Sequence, residues 1–292
     1  FDRKIIVRPR GMKMKKKSNL WFEIKKGYAF IYRQLRMYVR FYMWELVWLV
    51  YTIALALSVG FIGAGMQKLS GSANINVSEV TLFLVTGSLL WGYLSMIVLE
   101  TNFLVTIERW EGTIEYTFMA PVSRVVHILG MTLFSVLYGL IRTALVLVVV
   151  ALVLKLDLSN ANVGSALLVL MLASLSFVGF GALTAIFPII APEKGFQVVH
   201  IFDAVLLMVS GIFYPISVLP GWLQVFSKFS PATYTLQGMR EAIIHGPGVA
   251  ELFVPWVLPL IVCGVVLIPV GIWGFTKAEE YAMRTGKLKR DG

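Results

Sequence analysis

Six long apolar runs constrain this sequence more than any other feature. The hydrocarbon core of a bilayer is about 30 Å thick, and a helix that rises about 1.5 Å per residue crosses it with about 20 apolar residues. Helix is expected because backbone groups in lipid must be satisfied within the segment, and barrel strands would alternate polar and apolar residues. The predicted spans are Phe41–Met66, Val80–Ile107, Val125–Leu154, Val163–Ile190, Phe196–Leu219 and Leu252–Thr276. We therefore expect an all-α membrane protein with a six-helix transmembrane domain over residues 41–276.

The composition agrees with a membrane protein. Hydrophobic residues make up 58% of the 292 positions and charged residues 14%, whereas soluble domains average about 45–50% and about 25%. A soluble domain with so few polar residues would not cover its surface. The single cysteine, Cys263, lies inside an apolar run, which excludes an intrachain disulfide and a metal site built from several thiolates.

Lysine and arginine fall mainly on one side of the six predicted spans. That side holds most of the 26 basic residues. It comprises residues 1–40, 108–124, 191–195 and 277–292. The other side receives Lys68, Lys155, Lys228 and Arg240. Because basic loops stay in the cytoplasm, this asymmetry predicts a multi-pass plasma-membrane protein with both termini and the 108–124 loop in the cytoplasm. The net charge of +10 thus reflects topology and not nucleic-acid binding.

A basic amphipathic segment precedes the first span. After a basic cytoplasmic tail over residues 1–18, residues 19–40 repeat apolar side chains at helical spacing and put basic side chains on another face. This pattern is typical of an interfacial helix that binds membrane lipids, with its basic side toward anionic headgroups. A plain topology anchor is the alternative. The apolar positions are Leu20, Ile24, Tyr28, Ile31, Leu35 and Val39.

Between the last two predicted spans, residues 216–251 match neither a span nor an ordinary loop. Pro220 opens GWLQVFSKF and Pro231 opens ATYTLQGMREAIIHG, and a helix tolerates proline best in its first turn. Both helices are too short to cross a bilayer and too aromatic for a free loop. We expect two re-entrant helices over about 220–245 in the outer leaflet, with an ordinary extracellular cap as the alternative.

The stretch ERWEGTIEYTFMAPVSR, residues 108–124, separates two apolar runs with charges, a glycine and a proline. Its centre favours a short helix that Pro121 ends, and its carboxylates suit the positive N-terminal end of a helix dipole. Trp110, Tyr116 and Phe118 would be exposed aromatic side chains, which are enriched in protein interfaces. The segment is therefore suited to dock in a groove of another protein, or else it is a solvated connector.

The same stretch resembles the ER-x-x-GT-x-E-x-x-x-x-x-P-x-S-R pattern of ABC-2 type permeases, the membrane subunits of one class of ABC exporters. The later run GIFYPISVLPGWLQVFSKFSPATYTLQGMREAIIHG resembles the end of that family's fifth helix followed by two outer re-entrant helices. The amphipathic segment at 19–40 resembles its interfacial connecting helix. The resemblance covers residues 19–278, and Trp110 departs from it because relatives often carry a charge there.

This resemblance implies a dimer of six-helix permeases, a homodimer in preference to a heterodimer, that carries two cytoplasmic ABC ATPase subunits. The helix at about 108–121 would be the coupling helix in the ATPase cleft. Gly112 and Thr113 would let the chain turn, with the Thr113 side chain capping the helix, while Arg109 and the carboxylates would set its register on the ATPase. The coupling positions implied are Glu108, Arg109, Gly112, Thr113, Glu115, Tyr116, Pro121 and Arg124.

The chemistry of ATP is expected on partner subunits and not on this chain. The sequence contains no G-x-x-x-x-G-K-[ST] phosphate-binding motif, and its spacing supports no Ser-His-Asp or paired-carboxylate site. His127, His200 and His245 are too scattered for a metal cluster. We therefore expect a non-catalytic permease that binds no cofactor or metal itself, with ATP and Mg²⁺ bound by the ATPase subunits.

Four residues are candidates for the translocation path. Glu100 lies about 12 Å along its helix from Glu108, and Arg142 lies about 27 Å into its own helix, so the two differ too much in depth to pair easily. Ionisable residues inside spans often line water-filled paths, but Arg142 could equally be paired within one subunit. Phe213 and Tyr214 precede a helix-ending proline. The resemblance implies an outer gate there, and an aromatic belt is the alternative.

The expected function is a permease subunit of an ATP-driven ABC exporter that moves an amphiphilic or hydrophobic substrate outward, such as a drug, an antibiotic or a lipid. A polysaccharide or a lipid-linked glycan is the alternative cargo within the family. An ion-coupled secondary transporter or channel is the alternative of another class, and it would need ion ligands near the bilayer midplane on broken helices. A structural membrane scaffold is a third possibility.

Overall fold

The computed structural model describes residues 20–70, 76–191 and 193–285. Over these ranges the chain is helical and contains no β-strand, which confirms the all-α prediction. The basic tail predicted over residues 1–18 lies outside the described residues. The second predicted tail, 277–292, is helical as far as Thr285, and the rest of it lies outside the described part of the chain.

The described residues form twelve α-helices and three short turns of other helix types. The first half of the chain contains α1 Leu20–Arg40, α2 Tyr42–Ser70, α3 Val77–Trp110, α4 Ile114–Met119 and α5 Arg124–Leu154. The second half contains α6 Val163–Thr184, α7 Ile186–Ile190, α8 Gly195–Val209, α9 Gly221–Ser227, α10 Pro231–Arg240, α11 Val249–Leu252 and α12 Leu258–Thr285. A 3₁₀ turn covers Ile216–Val218, and π-helical turns cover Glu241–His245 and Phe253–Val257.

Five helical stretches are long and apolar enough to cross a membrane: α2, α3, α5, α6 with α7, and α11 with α12. The predicted span Phe196–Leu219 is not one helix. Within it, α8 has 15 residues, a rise of about 22 Å, which is less than a hydrocarbon core of about 30 Å. The chain then turns at Gly211, whose φ of 68° lies in the left-handed region that favours glycine. In the described chain, five helical stretches and not six therefore have the length of a span.

Side-chain caps set the starts of three long helices. Asn76, Ser123 and Asn162 each accept a hydrogen bond from the backbone N–H three residues further along, at 3.3, 3.2 and 3.1 Å respectively. Each cap satisfies a donor that the first turn of a helix leaves without a partner. As a result α3, α5 and α6 begin close to the starts predicted from the apolar runs.

The most buried of the five spans is α3, which lies at the centre of the bundle. It packs against α2, α5, α6 and α8. By contrast α2, α5 and α12 expose many large apolar side chains along their lengths. In a membrane these exposed faces would contact lipid or another protein, because a spanning helix that is apolar all round has no polar face to turn to water.

The helices α6 and α12 approach each other closely at two glycines. A Cβ atom on Gly179 would lie 2.5 Å from the carbonyl carbon of Leu267, and one on Gly271 would lie 2.6 Å from the carbonyl oxygen of Gly179. Small residues allow membrane helices to pack backbone against backbone. The contact between α6 and α12 therefore depends on these glycines.

The first helix, α1, lies along α5. Phe30 packs on Gly130, where an added Cβ would meet the Phe30 Cβ at 3.1 Å, and Gln34 is buried. The helix predicted over residues 19–40 is thus present from Leu20 onward. Most of its apolar stripe, including Tyr28 and Leu35, is exposed and is available to lipid. Its position in a membrane interface stays a prediction.

The two proline-led helices predicted between the last spans are present as α9 and α10. The helix α10 packs among α3, α6 and α12, with Thr235 and Leu236 completely buried. The helix α9 packs on α8 and exposes Trp222 and Phe226. Their depth in a bilayer stays a prediction.

Candidate functional site

The segment between α3 and α5 turns at Gly112 and then forms α4. Gly112 has a φ of 72°, a left-handed conformation that costs other residues about 1–2 kcal/mol. The chain that follows this turn forms the helix that the sequence predicts within residues 108–121, and it covers the six residues Ile114–Met119.

Thr113 precedes α4 but does not cap it. Its φ of −78° and ψ of −15° are helical, and its side chain makes no capping hydrogen bond, because an N-cap residue needs an extended backbone to aim its oxygen at the first turn. The hydroxyl instead donates to the carbonyl oxygen of Glu108 at 3.3 Å. The prediction that Thr113 caps the short helix was wrong, and its side chain stabilises the end of α3.

The short helix α4 has one buried face and one exposed face. Ile114 and Phe118, one helical turn apart, are buried in a cluster with residues of α3, α5 and α12. On the other side the side chains of Tyr116 and Met119 are 73% and 70% exposed. Positions four residues apart share one face of a helix, so the packing of the first pair directs the second pair outward.

Beneath α4, a buried carboxylate joins three helices. Glu108 of α3 is 3% exposed, and its Oε2 lies 3.0 Å from Nε2 of His127 on α5. Its Oε1 accepts from the guanidinium of Arg33 on α1. Both oxygens of this carboxylate thus have a charged or hydrogen-bonding partner, as a buried carboxylate requires.

Aromatic rings enclose the His127 side of this cluster. The ring centroid of Phe30 lies 5.0 Å from that of His127, and those of Phe118 and Phe275 lie 6.0 Å from it. These rings come from α1, α4 and α12. The imidazole is therefore held by packing as well as by its contact with Glu108, and water has little access to the pair.

A second ion pair connects α4 to the last helix. Nε of Arg124 lies 2.5 Å from Oε2 of the buried Glu279 on α12. The Nη2 of Arg124 donates to the carbonyl oxygen of Phe118 at 2.9 Å, and its guanidinium lies 5.0 Å from the centre of the Phe118 ring. Arg124 therefore binds the last turn of α4 and the end of α12 at once.

The basic helix α1 also contacts the turn that follows α4. Nζ of Lys26 donates to the carbonyl oxygen of Pro121 at 2.8 Å and forms an ion pair with Glu23 at the same distance. The described part of the basic N-terminal segment thus lies at the same end of the bundle as α4. The end of α12, which carries Glu279, lies there too.

The positions implied as coupling residues divide into a buried and an exposed set. Glu108 and Arg109 are buried, and Gly112, Thr113 and Arg124 are half-buried. The side chains of Arg109 and Glu108 are thus not presented on the surface around α4, and the expectation that Arg109 and the carboxylates set the register on a partner protein stays a prediction. We name the exposed residues around α4, together with the half-buried Glu115, the docking surface: Trp110, Glu111, Glu115, Tyr116, Met119 and Pro121.

Three residues of this site were missed by the sequence analysis. Arg33, His127 and Glu279 come from α1, α5 and α12 and meet only in the folded chain. The sequence did contain one signal. Charged or titratable residues occur near the ends of several predicted spans, and the charge asymmetry predicts that these ends lie on the same side of the membrane. In a largely apolar chain such residues tend to pair with one another.

Two of the predicted path residues have partners within the subunit. Glu100 accepts a hydrogen bond from the hydroxyl of Tyr38 on α1, and burial raises the pKa of Tyr38, which keeps the phenol protonated as a donor. Arg142 donates to the carbonyl oxygen of Trp48 at 2.7 Å and to Oγ1 of Thr52 at 2.5 Å, both on α2. The structure thus agrees with the alternative that Arg142 is paired within one subunit. A role for either residue in a path stays a prediction.

Phe213 and Tyr214 lie in the turn after α8, at the end of the bundle opposite α4. The hydroxyl of Tyr214 donates to the carbonyl oxygen of Met208 at 2.5 Å, and Phe213 is exposed. The turn lies against the first third of α3, where an added Cβ on Gly87 would come within 2.3 Å of the Ile212 carbonyl oxygen. Their role as a gate stays a prediction.

His200 contacts Phe196, with ring centroids 4.8 Å apart, and is not part of the Glu108 cluster. Over the described ranges, no group of three or more His, Cys, Asp or Glu side chains is placed to hold a metal ion. The buried groups at the α4 end are therefore paired with one another and with arginines.

Comparison with known proteins identifies the family to which this chain belongs. A family model described as ABC-2 type transporter matches residues 27–244. The chain is also similar to the linearmycin resistance permease protein LnrN of Bacillus subtilis (strain 168), with 29% identity over 113 residues, a match that covers 38% of this chain and 27% of that protein. Because the family model covers most of the chain, and five helical stretches are long enough to cross a membrane, the chain is a multi-pass membrane protein that belongs to the ABC-2 type transporter family.

Proposed function

We propose that the chain is the permease subunit of an ATP-driven ABC exporter, and that its docking surface binds a separate ATPase subunit. The observation that carries this proposal is the contrast between the two faces of α4. Ile114 and Phe118 anchor the helix in the bundle, while Tyr116 and Met119 stay exposed. Large exposed side chains on a rigid support are typical of the residues that dominate binding in protein interfaces. A loop that only joined two spans would not need them.

The charge distribution supports a cytoplasmic position for this end. Lys26 contacts Pro121, and Glu279 contacts Arg124, so the basic helix α1, α4 and the end of α12 are neighbours. The positive-inside rule assigns such a basic end to the cytoplasm. There an ATPase subunit that binds ATP and Mg²⁺ would have access to the docking surface.

The buried ion pairs supply a route by which movement of α4 would reach the spans. The contact between Glu108 and His127 joins α3 to α5, Arg33 joins α1 to the same carboxylate, and Arg124 joins α4 to α12. Networks of this kind, on rigid helices, carry coupling between distant sites. Closure of the ATPase subunits on ATP would therefore shift α4 and rearrange the helices as rigid bodies.

The proposed assembly contains two permease copies, a homodimer, and two ATPase subunits. The proposed cargo is amphiphilic or hydrophobic, such as a drug, an antibiotic or a lipid. The similar protein of Bacillus subtilis is named for resistance to linearmycin, which supports the drug or antibiotic class over a polysaccharide or a lipid-linked glycan.

The decisive experiment compares two aromatic residues of similar exposure at opposite ends of the bundle. Tyr116 on the docking surface is 73% exposed and Phe229 after α9 is 76% exposed. The tagged permease would be purified from membranes with its ATPase, and the complex assayed for ATP hydrolysis in nanodiscs. Tyr116→Ala should reduce recovery of the ATPase about tenfold, the effect of losing about 1.4 kcal/mol of binding, and Phe229→Ala should leave it unchanged.

Two results would overturn the proposal. One is a wild-type permease that purifies without any ABC ATPase and shows no ATP hydrolysis. The other is equal recovery of the ATPase with both variants. The first result would favour an ion-coupled transporter, a channel or a scaffold, and the second would show that the docking surface does not bind the ATPase.

A further inference from the structure

A cavity of about 460 Å³ lies at the end of the molecule opposite α4. Its walls come from the start of α3, the turn after α8, the end of α10 and both π-helical turns. Small-molecule sites typically have volumes of about 300–1,000 Å³. The wall residues used below are Glu79, Phe83, Tyr214, Arg240, Glu241 and Trp256.

A buried arginine forms the back of this cavity. Arg240 is 7% exposed, and its guanidinium donates to the carbonyl oxygens of Gly211 and Ile212 in the turn after α8. It also lies 3.5 Å from the centre of the Phe83 ring. Burial lowers the pKa of Arg240 to about 10, so the group is charged at neutral pH.

One N–H donor of this arginine makes no hydrogen bond. Within the described residues, the buried Nε of Arg240 has no hydrogen-bond partner. Because this atom has almost no accessible surface, a ligand in the cavity would not contact it, and the case for a ligand rests on the carboxylates and aromatic rings of the wall.

Two carboxylates on the wall have no cationic partner. Glu79 and Glu241 both line the cavity, and in the described part of the chain neither takes part in an ion pair. Arg240 does not neutralise them, because its guanidinium is directed to backbone carbonyls. Counting Glu79, Glu241 and Arg240, the wall carries one more negative than positive charge.

Aromatic rings and π-helical backbone complete the site. Phe83, Tyr214 and Trp256 line the cavity, and the face of an aromatic ring attracts cations. Glu241 lies on the first π-helical turn and Trp256 on the second. Such turns are rare and occur frequently at functional sites.

We propose that this cavity binds an apolar cation, a molecule that carries a protonated or quaternary amine on an aromatic or aliphatic body. The amine would lie between Glu79 and Glu241, and the apolar body would pack on Trp256 and Phe83. Because this proposal concerns binding and not transport, it does not depend on an ATPase and can fail or hold separately from the proposed function.

The test uses two probes of similar size and opposite charge, benzyltrimethylammonium and benzylsulfonate. Each is titrated by isothermal calorimetry into the full-length permease in nanodiscs of phosphatidylcholine, a lipid without net charge. We expect the cation to bind and the anion not to bind. Glu241→Gln should weaken cation binding about threefold, and the double variant Glu79→Gln/Glu241→Gln about tenfold, in line with partly exposed charge pairs worth up to about 1 kcal/mol each.

A control variant separates this site from general acidity of the outer surface. Glu251 is an exposed glutamate on α11 at the same end of the bundle and does not line the cavity, so Glu251→Gln should leave the affinity unchanged. Equal binding of the two probes would overturn the proposal. So would a wild-type protein that binds neither probe, or a double variant whose affinity matches that of the control.

Discussion

Arg124 links α4 to α12 by holding the carboxylate of Glu279 at 2.5 Å and the carbonyl oxygen of Phe118 at 2.9 Å. The carboxylate of Glu279 is buried, so the pair is well shielded from water. Neighbouring positions on α12 provide a comparison, because Glu280 forms an exposed ion pair with Lys277 at 2.9 Å. Two adjacent glutamates thus differ mainly in burial.

Glu279→Gln should destabilise the protein by about 1–3 kcal/mol, because it leaves the half-buried charge of Arg124 without its counter-ion. Glu280→Gln should cost less than about 0.5 kcal/mol, since exposed pairs contribute little. Thermal unfolding of each variant in detergent micelles measures both effects. Equal losses would show that the link between α4 and α12 does not depend on the buried pair.

His127→Phe should cost about 1–3 kcal/mol of stability. The substitution preserves the ring that packs on Phe30, Phe118 and Phe275 but leaves one oxygen of the buried Glu108 without its partner. His200→Phe is the matched control, because His200 is exposed, and surface substitutions usually change stability by less than about 0.5 kcal/mol. If both variants unfold at the same temperature, the contact between His127 and Glu108 is not stabilising.

Gly112→Ala should destabilise the turn before α4 by about 1–2 kcal/mol, because the φ of 72° places an alanine in the left-handed region. Gly112→Asn should recover part of that loss, since asparagine visits this region more readily. The free energy of unfolding in urea, compared across the two variants and the wild type, checks the order. Equal losses for alanine and asparagine would contradict a backbone cause.

Gly179→Ala should separate α6 from α12 and cost about 1–3 kcal/mol, since its Cβ would lie 2.5 Å from the backbone of Leu267. Gly92→Ala on α3 has open space around the new Cβ and should be neutral or slightly stabilising, because alanine favours helix over glycine. Unfolding temperatures in the same detergent measure the difference. A reversed order would mean that the helices do not touch at Gly179.

Arg240→Met should cost more than about 2 kcal/mol, because two buried carbonyl oxygens at the end of α8 lose their donor. Lys228→Met, an exposed position at the same end of the bundle, should have little effect. Hydrogen exchange measured by mass spectrometry should show faster exchange over residues 206–216 in the first variant alone. Unchanged protection there would mean that Arg240 does not hold the end of α8.

Much of the fold can be predicted from the lengths of the apolar runs, because the thickness of a bilayer sets how many consecutive apolar residues a spanning helix needs. The fifth run is the exception. Its composition is mostly apolar, but Gly211 adopts a left-handed conformation and the chain is extended at Pro215, so the helix ends at Val209. An average over the run cannot detect a single residue that reverses the sign of φ.

The candidate site was predictable only as a short helix with aromatic residues. Which of its charges point inward depends on partners that come from distant helices, as Arg33, His127 and Glu279 show. A pattern in one segment does not give the rotation of α3 about its axis, and this rotation is what buries Glu108. The role expected for Thr113 failed for a local reason, because its backbone was already helical.

The glycine contact between α6 and α12 has a mechanical consequence. The backbones of the two helices touch at Gly179 and Gly271, so the helices lack the free space to slide past each other and would move as one rigid unit. Arg124 connects the end of α12 in this unit to α4. Under the proposed coupling, a movement of α4 would tilt the two helices together instead of bending them. Any gap produced by the tilt would open along the least buried faces of the bundle, which lie on α2, α5 and α12 itself.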